Sequence, residues 1–308
     1  MYYCGWDGGG TKTTVCILDQ NGEHIAEASF GPLNANGAAI GHVEQTVNDA
    51  LAFMTRQPGG LSACGGLVIG MAGISNRSFR EHMEQMVRSH HYMGHLHITG
   101  DQVIALNGAI SGPGAILIAG TGSICYGRDA DGEPFRVGGY GYLIDDLGSG
   151  YAIGRSILNA VVCASDHRAE PTALTKLLYD SLGIASIGSL ISWLYAGTTG
   201  KKEIAGLAPL LLEGLALEDA ASERIAEESA DALAQLVLTG FHSHGISTGE
   251  LALNGSIFSY FPTIRERVTK IIEENLPDVR IIEPRKSPAE GAARFAYHAF
   301  SPAPAAEG

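Results

Sequence analysis

A short pattern that occurs twice constrains the fold of this chain more than any other feature. Gly10 to Glu23 aligns without a gap with Gly120 to Glu133, at a constant offset of 110 positions, and five of the fourteen residue pairs are identical. In each copy a turn of glycine and threonine separates two apolar segments, and an Asn-Gly or Asp-Gly hairpin turn closes the second segment. Each copy therefore predicts a strand, a glycine turn and a second strand, and we infer a duplicated fold.

Length and composition limit the class of protein. A chain of 308 residues is long enough for two domains or one large one. With 45% hydrophobic and 17% charged residues, it has the composition of a globular protein. The net charge of -13, with no Lys/Arg run longer than a pair, excludes a nucleic-acid-binding groove. The five cysteines never form a Cys-x-x-Cys pair, which argues against a zinc ribbon.

The same survey bears on location. No basic segment precedes an apolar stretch near residue 1, and no run approaches ~18 uncharged apolar residues. We therefore expect a cytoplasmic protein that contacts neither a membrane nor nucleic acid.

Hydrophobic periodicity predicts a mixed α/β first half and a second half that is richer in helix. The first half has predicted strands over 2–6, 13–18, 24–30, 67–71 and 96–99, and helices over 38–57, 78–90 and after Asp101. The second half adds helices over 151–165, 172–182, 189–195, 201–214, 220–239 and 262–274, strands over 251–253 and 280–282, and a last helix from residue 289.

The glycine clusters are where a ligand is expected, because glycine, at 41 of 308 positions, is about twice as frequent as usual. The sequence has no P-loop motif and no G-x-G-x-x-G after a strand, so both of those phosphate sites are excluded. Two similar turns remain, Asp7-Gly-Gly-Gly-Thr-Lys-Thr13 and Ala119-Gly-Thr-Gly-Ser123. Backbone N–H groups that converge in such turns bind phosphate, so the two could clamp a polyphosphate. The alternative is that each is a plain hairpin connection.

These turns are part of a longer series of motifs. The series is Asp7–Thr13, Gly31-Pro-Leu-Asn-Ala-Asn36, Gly70-Met-Ala-Gly73, Asp101 with Ala105-Leu-Asn-Gly-Ala109, Ile118-Ala-Gly-Thr-Gly-Ser123, Gly138-Gly-Tyr-Gly141 and Asp146-Leu-Gly-Ser-Gly-Tyr151. Across nearly the whole chain it resembles the N-acetylglucosamine kinase group, or BadF/BadG ATPase family, of the sugar kinase, actin and heat-shock chaperone superfamily. The resemblance implies an α/β fold of two duplicated ribonuclease H-like (actin-like ATPase) domains with a central interdomain cleft.

The resemblance also implies a division of labour. Residues 1–112, with the C-terminal helix 289–300, would bind sugar and phosphate, residues 113–288 would bind ATP, and 301–308 would be a disordered tail. The phosphates of ATP would contact Gly9, Gly10, Thr11, Lys12, Thr13, Gly120, Thr121, Gly122 and Ser123. The adenosine would contact Asn254, Gly255 and Ser256. The sugar would contact Asn36, Gly73, Asp101, Thr121, Asp146 and Gly150.

Two carboxylates carry the predicted chemistry. Asp101 follows a strand at a strand-to-helix junction and is the candidate base for the attacking sugar hydroxyl; its alternative role is a helix N-cap. Asp7 is the candidate Mg²⁺ residue, through water, since Mg²⁺ keeps several waters; its alternative role is to stabilise the glycine turn. Lys12 could equally be a solvated surface residue.

The sequence departs from the family at two positions. Leu147 stands where the family usually has an acidic residue, which affects expected sugar recognition, and Gly100 stands where an asparagine usually precedes the aspartate. A separate cluster of four histidines at His90, His91, His95 and His97 could suggest a metal site. Because no carboxylate or cysteine accompanies these histidines, we expect an exposed loop instead.

The resulting hypothesis is an ATP- and Mg²⁺-dependent kinase that acts, as a cytoplasmic homodimer, on N-acetylglucosamine at its 6-hydroxyl in the recycling of cell-wall amino sugars. Its partners would be the small-molecule sugar and ATP. The alternatives are an N-acetylmuramic acid or glucosamine kinase, a BadF-type ATPase activator, and a non-catalytic ATP-dependent regulator. The activator would need paired cysteines for an iron–sulfur cluster, and the sequence has no such pair.

Overall fold

A computed structural model describes residues 1–33, 40–71, 74 and 77–302, and the side chain of Ile40 is also left out. The chain divides into two compact units, one formed by Met1–Ser111 with Pro284–Gly308 and the other by Gly112–Glu283. Each unit is described separately below.

The first unit is built on a five-stranded sheet. Its elements are β1 (Tyr2–Gly8), β2 (Thr13–Asp19), β3 (His24–Phe30), α1 (Ile40–Thr55), β4 (Cys64–Met71), α2 (Arg77–Ser89), β5 (His95–Gly100) and α3 (Asp101–Ala109). A short 3₁₀ helix, Gly60–Ala63, precedes β4. The strand order is β3-β2-β1-β4-β5, with β1 antiparallel to β2 and parallel to β4.

The second unit repeats this arrangement. Its elements are β6 (Gly114–Ala119), β7 (Ser123–Arg128), β8 (Pro134–Gly138), α4 (Gly150–Ser165), α5 (Leu174–Leu182), α6 (Ile187–Leu194), α7 (Lys201–Ala205), α8 (Leu210–Ala216), α9 (Ala220–Ser243), β9 (Gly249–Asn254), α10 (Ser256–Tyr260), α11 (Pro262–Asn275) and β10 (Val279–Ile282). The order β10-β9-β6-β7-β8, with β6 antiparallel to β7 and parallel to β9, matches the first sheet strand for strand. The predicted duplicated α/β fold is confirmed.

The residues that are identical between the copies have a local structural reason. Asp19 Oδ1 accepts hydrogen bonds from the N–H groups of Asn21 (2.8 Å) and Glu23 (2.9 Å), which closes the turn from β2 to β3. Asp129 closes the turn after β7 through the same two bonds, each 2.9 Å long. Gly22 and Gly132 have φ values of 80° and 86°, a left-handed conformation that favours glycine. The repeated residues therefore form the same hairpin turn in both units.

Strand alternation places two layers of side chains on the first sheet. Tyr2, Cys4 and Trp6 of β1 face a core that α1 and α2 complete. The last helix, α12 (Pro288–Phe300), covers the opposite face. A Cβ at Gly5 would lie 2.1 Å from the backbone nitrogen of Ala293, so only glycine lets α12 approach β1 this closely.

One predicted helix is divided in the structure. The segment expected as a single helix over 201–214 forms α7 and α8, which are separated by Gly206–Pro209. Pro209 has no N–H, and its ring clashes with the carbonyl four residues earlier, so a helix that starts at residue 201 cannot continue through it. The predicted turn at Asn254–Ser256 is also shorter than expected, because Ser256 already begins α10.

Among the described helices, no single one is both long and apolar enough to cross a membrane. The pair α5 and α6 satisfies those criteria only when taken together, and it is bent by 56°. Leu174, Leu178 and Leu190 of this pair are buried in the core of the second unit.

Candidate functional site

The first glycine turn joins β1 to β2. The Gly9 N–H donates to the Lys12 carbonyl (3.0 Å), which closes the turn, and Gly10, Thr11 and Lys12 are exposed. Thr13 is fully buried, and its hydroxyl has no hydrogen-bond partner among the described residues. Of the two predicted threonines, only Thr11 therefore presents its side chain at the surface of the turn.

Two carboxylates lie at the edge of the first sheet where its parallel strands end. Asp7 of β1 is in register with Gly70 of β4, which pairs with Thr99 of β5, and Asp101 follows at the end of β5. Neighbouring strands are about 4.8 Å apart, and β4 lies between β1 and β5. The backbones of β1 and β5 are therefore separated by about 10 Å at this edge.

The electrostatics of Asp7 and Asp101 agree with this placement. Burial raises the pKa of Asp7 to about 6, the negative charge of Asp101 adds to the increase, and Lys12 opposes it. The Asp101 side chain reaches solvent, but surrounding protein atoms desolvate its carboxylate and raise its pKa. A hydrogen bond from the Gln102 N–H to Asp101 Oδ1 (3.0 Å) acts in the opposite direction. Each carboxylate is therefore primed to accept a cation or a proton.

The N-cap of α3 is Gly100, and Asp101 is the first residue inside the helix. Because the positive end of the helix dipole favours an anion in the first turn, this position suits a carboxylate that stays ionised. A Cβ at Gly100 would lie 2.3 Å from Gln102 Oε1, so the Gln102 amide occupies the space that a side chain at 100 would need. A polar amide thus lies where the side chain of residue 100 would be, despite the glycine.

The second glycine turn joins β6 to β7 and is held against the start of α4. The Gly120 N–H donates to the Gly122 carbonyl (2.9 Å), and the Gly150 N–H donates to the Gly120 carbonyl (2.7 Å). Ser123 is buried, and its hydroxyl donates to the Leu147 carbonyl (2.7 Å). Thr121 is exposed. Ser123 therefore ties the turn to the segment 139–149, whereas Thr121 is open to a ligand.

Asp146 is bound to a residue that the sequence did not suggest. It has a φ of 60° and is only 4% exposed, and its Oδ2 accepts a hydrogen bond from Lys201 Nζ at 3.0 Å. A Cβ at Gly122 would lie 2.7 Å from this oxygen and 3.2 Å from Lys201 Nζ. The Lys201 ammonium also lies 5.4 Å from the centre of the Tyr142 ring. An ion pair therefore lies directly against the second glycine turn.

A cavity of about 350 Å³ opens beside this turn. Its lining residues come from the turn, from the start of α4, from the segment that spans α7 and α8, and from α10 and the residue after it: Gly120, Thr121, Gly150, Ala205, Ala208, Pro209, Leu212, Ser256, Ile257, Tyr260 and Phe261. Gly255, with a φ of 109°, packs so closely that a Cβ there would lie 2.2 Å from the Ala119 carbonyl oxygen. The Asn254 side chain accepts a bond from the Gly255 N–H (2.9 Å). A mainly apolar cavity of this size suits a flat heterocycle.

The remaining predictions concern two sugar contacts and the histidine cluster. Asn36 and Gly73, predicted to bind sugar, lie outside the described residues. In the histidine cluster, His90 Nε2 contacts Asn48 Oδ1 (2.8 Å) and His95 stacks on Phe300.

Potential metal ligands meet at one other place in the described part of the chain, where Cys16, His24 and Glu27 come together. The pKa of Cys16 is raised to about 12, chiefly by burial, so its thiol stays protonated, which disfavours metal binding.

Two matched sheets, each with a glycine turn between its first two strands, define the fold of the actin-like ATPase superfamily. The model of the BadF/BadG/BcrA/BcrD ATPase family matches residues 4–296, and the chain belongs to this family. Membership implies the use of ATP.

The chain is similar over nearly its full length to two kinases. It is 33% identical to the N-acetylmuramic acid/N-acetylglucosamine kinase of Clostridium acetobutylicum, over 94% of this chain and 96% of that protein. It is 30% identical to the N-acetyl-D-glucosamine kinase of Dictyostelium discoideum, over 96% and 98%.

Solved structures share the fold at lower sequence identity. The crystal structure of a Chromobacterium violaceum protein matches with a TM-score of 0.77 and 24% identity, covering 96% of this chain and 98% of that one. A ROK family glucokinase from Streptomyces griseus, solved with glucose and AMPPNP, matches with a TM-score of 0.56 and 14% identity, covering 97% and 100%.

Proposed function

We propose that this protein is an ATP-dependent hexosamine kinase that phosphorylates N-acetylglucosamine at its 6-hydroxyl. The observation that carries the proposal is the pair of carboxylates, Asp7 and Asp101, beside the exposed glycine turn of the first unit. Phosphoryl transfer needs in-line positioning, compensation of phosphate charge and a group that accepts the hydroxyl proton. Asp101 could accept the hydroxyl proton, and Asp7 could hold the Mg²⁺ ion that would compensate the phosphate charge.

Asp101 is the proposed base. Its carboxylate accepts the proton of the attacking sugar hydroxyl, and desolvation, by raising its pKa, makes it a better proton acceptor than an aspartate of ordinary pKa. The bond from the Gln102 N–H fixes Oδ1, so the orientation of the carboxylate is set before substrate binds.

Asp7 is the proposed Mg²⁺ residue. A hard cation suits a desolvated carboxylate whose ionised form is disfavoured by a second carboxylate nearby, since the cation relieves both penalties. When bound, Mg²⁺ would neutralise charge on the ATP phosphates. Asp7 would hold the ion through water, as its predicted role requires.

ATP binding is assigned to the glycine turns and the cavity. The adenosine occupies the 350 Å³ cavity, where Ser256 supplies a hydroxyl and the segment from α7 to α8, together with α10, supplies apolar walls. The proposed phosphate contacts are the exposed Thr121 in the second unit and Gly9, Gly10, Thr11 and Lys12 in the first. On this assignment residues 113–288 bind ATP, and residues 1–112 with the helix 289–300 supply Asp7 and Asp101.

The named activities of the two kinases described above support N-acetylglucosamine. A 28% identical glucosamine kinase from Vibrio cholerae supports the wider class of hexosamines. Asn36, Gly73, Thr121, Asp146 and Gly150 remain the proposed sugar contacts. Leu147, 51% exposed, offers an apolar surface in place of a carboxylate, which suits an N-acetyl group better than a free amine. Magnesium dependence, a homodimer and a role in cell-wall recycling complete the proposal and rest on the family resemblance. A cytoplasmic location is also proposed, and it rests on the survey of the sequence.

The test is a sugar panel read out as ADP release. N-acetylglucosamine should stimulate ADP formation far above the sugar-free rate, with glucose as the control sugar. A higher kcat/KM for N-acetylmuramic acid or glucosamine would replace the substrate within the same proposal. ADP release that is equal with and without every hexosamine would refute the kinase and favour an ATPase activator or regulator.

A further inference from the structure

The ion pair between Lys201 and Asp146 lies against the second glycine turn, where the proposed function places the phosphates of ATP. None of the sugar and phosphate contacts proposed above gives Lys201 a role. Lys201 is the first residue of α7, and its side chain is 34% exposed, so ligands can reach the ammonium. Gly122 of the second glycine turn lies directly beneath Nζ, since a Cβ there would be 3.2 Å from that atom.

We propose that Lys201 binds the phosphates of ATP at the second glycine turn, and that Asp146 is a positioning residue that holds the ammonium over Gly122. This inference rests on the proposed function, which places a nucleotide at the turn. An ammonium carries three donors, and Asp146 Oδ2 takes one of them at 3.0 Å. The remaining donors can bind phosphate oxygens.

The surroundings of the pair support a positioning role for Asp146. A carboxylate that is only 4% exposed requires a cation, because an unpaired charge at that depth is strongly destabilising. The Tyr142 ring, 5.4 Å from Nζ, encloses the ammonium on another side and itself packs on Tyr151 of α4. The lysine side chain is thus fixed before a ligand arrives, which lowers the entropy cost of binding.

The charges at the second glycine turn also support a phosphate-binding role for Lys201. Asp146 Oδ2 would lie 2.7 Å from a Cβ at Gly122, so without Lys201 its negative charge would repel a phosphate at this turn. With Lys201 in place the pair is neutral and still offers donors. The segment from α7 to α8, which begins at Lys201, also supplies Ala205, Ala208 and Leu212 to the wall of the cavity. One segment therefore contacts both the phosphates and the base.

The experiment is direct binding by calorimetry in the absence of sugar, with a non-hydrolysable ATP analogue and with adenosine as separate probes. Lys201→Met should weaken binding of the analogue by about 10- to 100-fold, the typical contribution of a hydrogen bond to a charged group. Adenosine affinity should be unchanged. Lys202→Met is the matched control, because Lys202 is the exposed neighbour on the same helix, and it should leave both affinities unchanged.

Asp146→Asn tests positioning. It keeps the lysine but loosens it, so analogue binding without sugar should weaken less than in Lys201→Met. If Asp146 contacts only the sugar, Asp146→Asn will leave sugar-free analogue binding unchanged, which would overturn the positioning role.

A double variant keeps the phosphate role falsifiable if Lys201→Met folds poorly. Lys201→Met/Asp146→Asn removes the buried unpaired charge and should stay as weak for the analogue as Lys201→Met. Recovery to wild-type affinity would show that Lys201 only neutralises Asp146. Equal loss of adenosine binding, or equal behaviour of Lys201→Met and Lys202→Met, would also overturn the proposal. Failure of the wild-type protein to bind either probe would instead refute the proposed function.

Discussion

Replacing Asp7 by asparagine should make the ligand-free protein more stable while removing its response to Mg²⁺. The pKa of Asp7 rises from 3.8 to about 6 in the folded protein, through burial first and the charge of Asp101 second. Because one pKa unit corresponds to about 1.36 kcal/mol, ionised Asp7 lowers the free energy of unfolding by about 3 kcal/mol at pH 8. Asp7→Asn removes the charge, but its amide must still be accommodated, so we expect a gain of about 1–3 kcal/mol.

The sign of the pH dependence follows from the raised pKa. Between pH 3.8 and about 6 the folded state binds more protons at Asp7 than the unfolded state does, so this group destabilises the protein increasingly as pH rises. Wild type and Asp7→Asn should therefore unfold at similar temperatures near pH 4. Their midpoints should diverge as pH rises through 6, with the variant higher by several degrees at pH 8.

The assay is thermal unfolding across that pH range, with Asp49→Asn, an exposed position on α1 of the same unit, as the control for loss of a negative charge. Adding Mg²⁺ with an ATP analogue should raise the midpoint of wild type more than that of Asp7→Asn. A variant that is less stable than wild type at pH 8, or a difference that does not change with pH, would refute this account of Asp7.

Two further substitutions test the site and the fold. Asp101→Asn keeps an oxygen for the Gln102 N–H but cannot accept the hydroxyl proton, so kcat should fall by about 10²–10⁴-fold with ATP affinity retained. Near-normal turnover would remove Asp101 from the mechanism. Gly5→Ala places a Cβ 2.1 Å from the Ala293 nitrogen. It should lower the free energy of unfolding, measured by chemical denaturation, by about 1–3 kcal/mol or more. Gly41→Ala, on an open face of α1, is its control and should be neutral or stabilising, so equal effects of the two would contradict the packing of α12 on β1.

Much of the fold was predictable because its signals are local. The hairpin turns closed by Asp19 and Asp129 depend on residues within four positions of each other, so the same short pattern predicted both. The duplication followed from that pattern, and the matched strand orders of the two sheets confirm it. The split of the segment 201–214 was also available from the sequence, because a proline at position 209 is incompatible with a continuous helix.

The two threonines of the first turn could not be separated from the sequence. Thr11 and Thr13 are two positions apart, so strand alternation alone would place them on the same face. In the structure Thr13 begins β2 and is fully buried, whereas Thr11 lies in the turn before the strand and is exposed. Only the position at which the strand begins distinguishes the two side chains.

The electrostatics and partners of the site were decided only by the tertiary structure. The pKa of Asp7 is raised first by burial and second by the charge of Asp101, which the order of the parallel strands β1, β4 and β5 brings to the same edge of the sheet. Lys201 meets Asp146 across 55 positions of sequence, and no motif connects the two residues. Backbone propensities and turn chemistry act over a few residues, whereas desolvation and Coulomb interactions depend on distance in space. The sequence could therefore identify the aspartates and the glycine turns, while only the packing of the sheets and helices determined what each carboxylate faces.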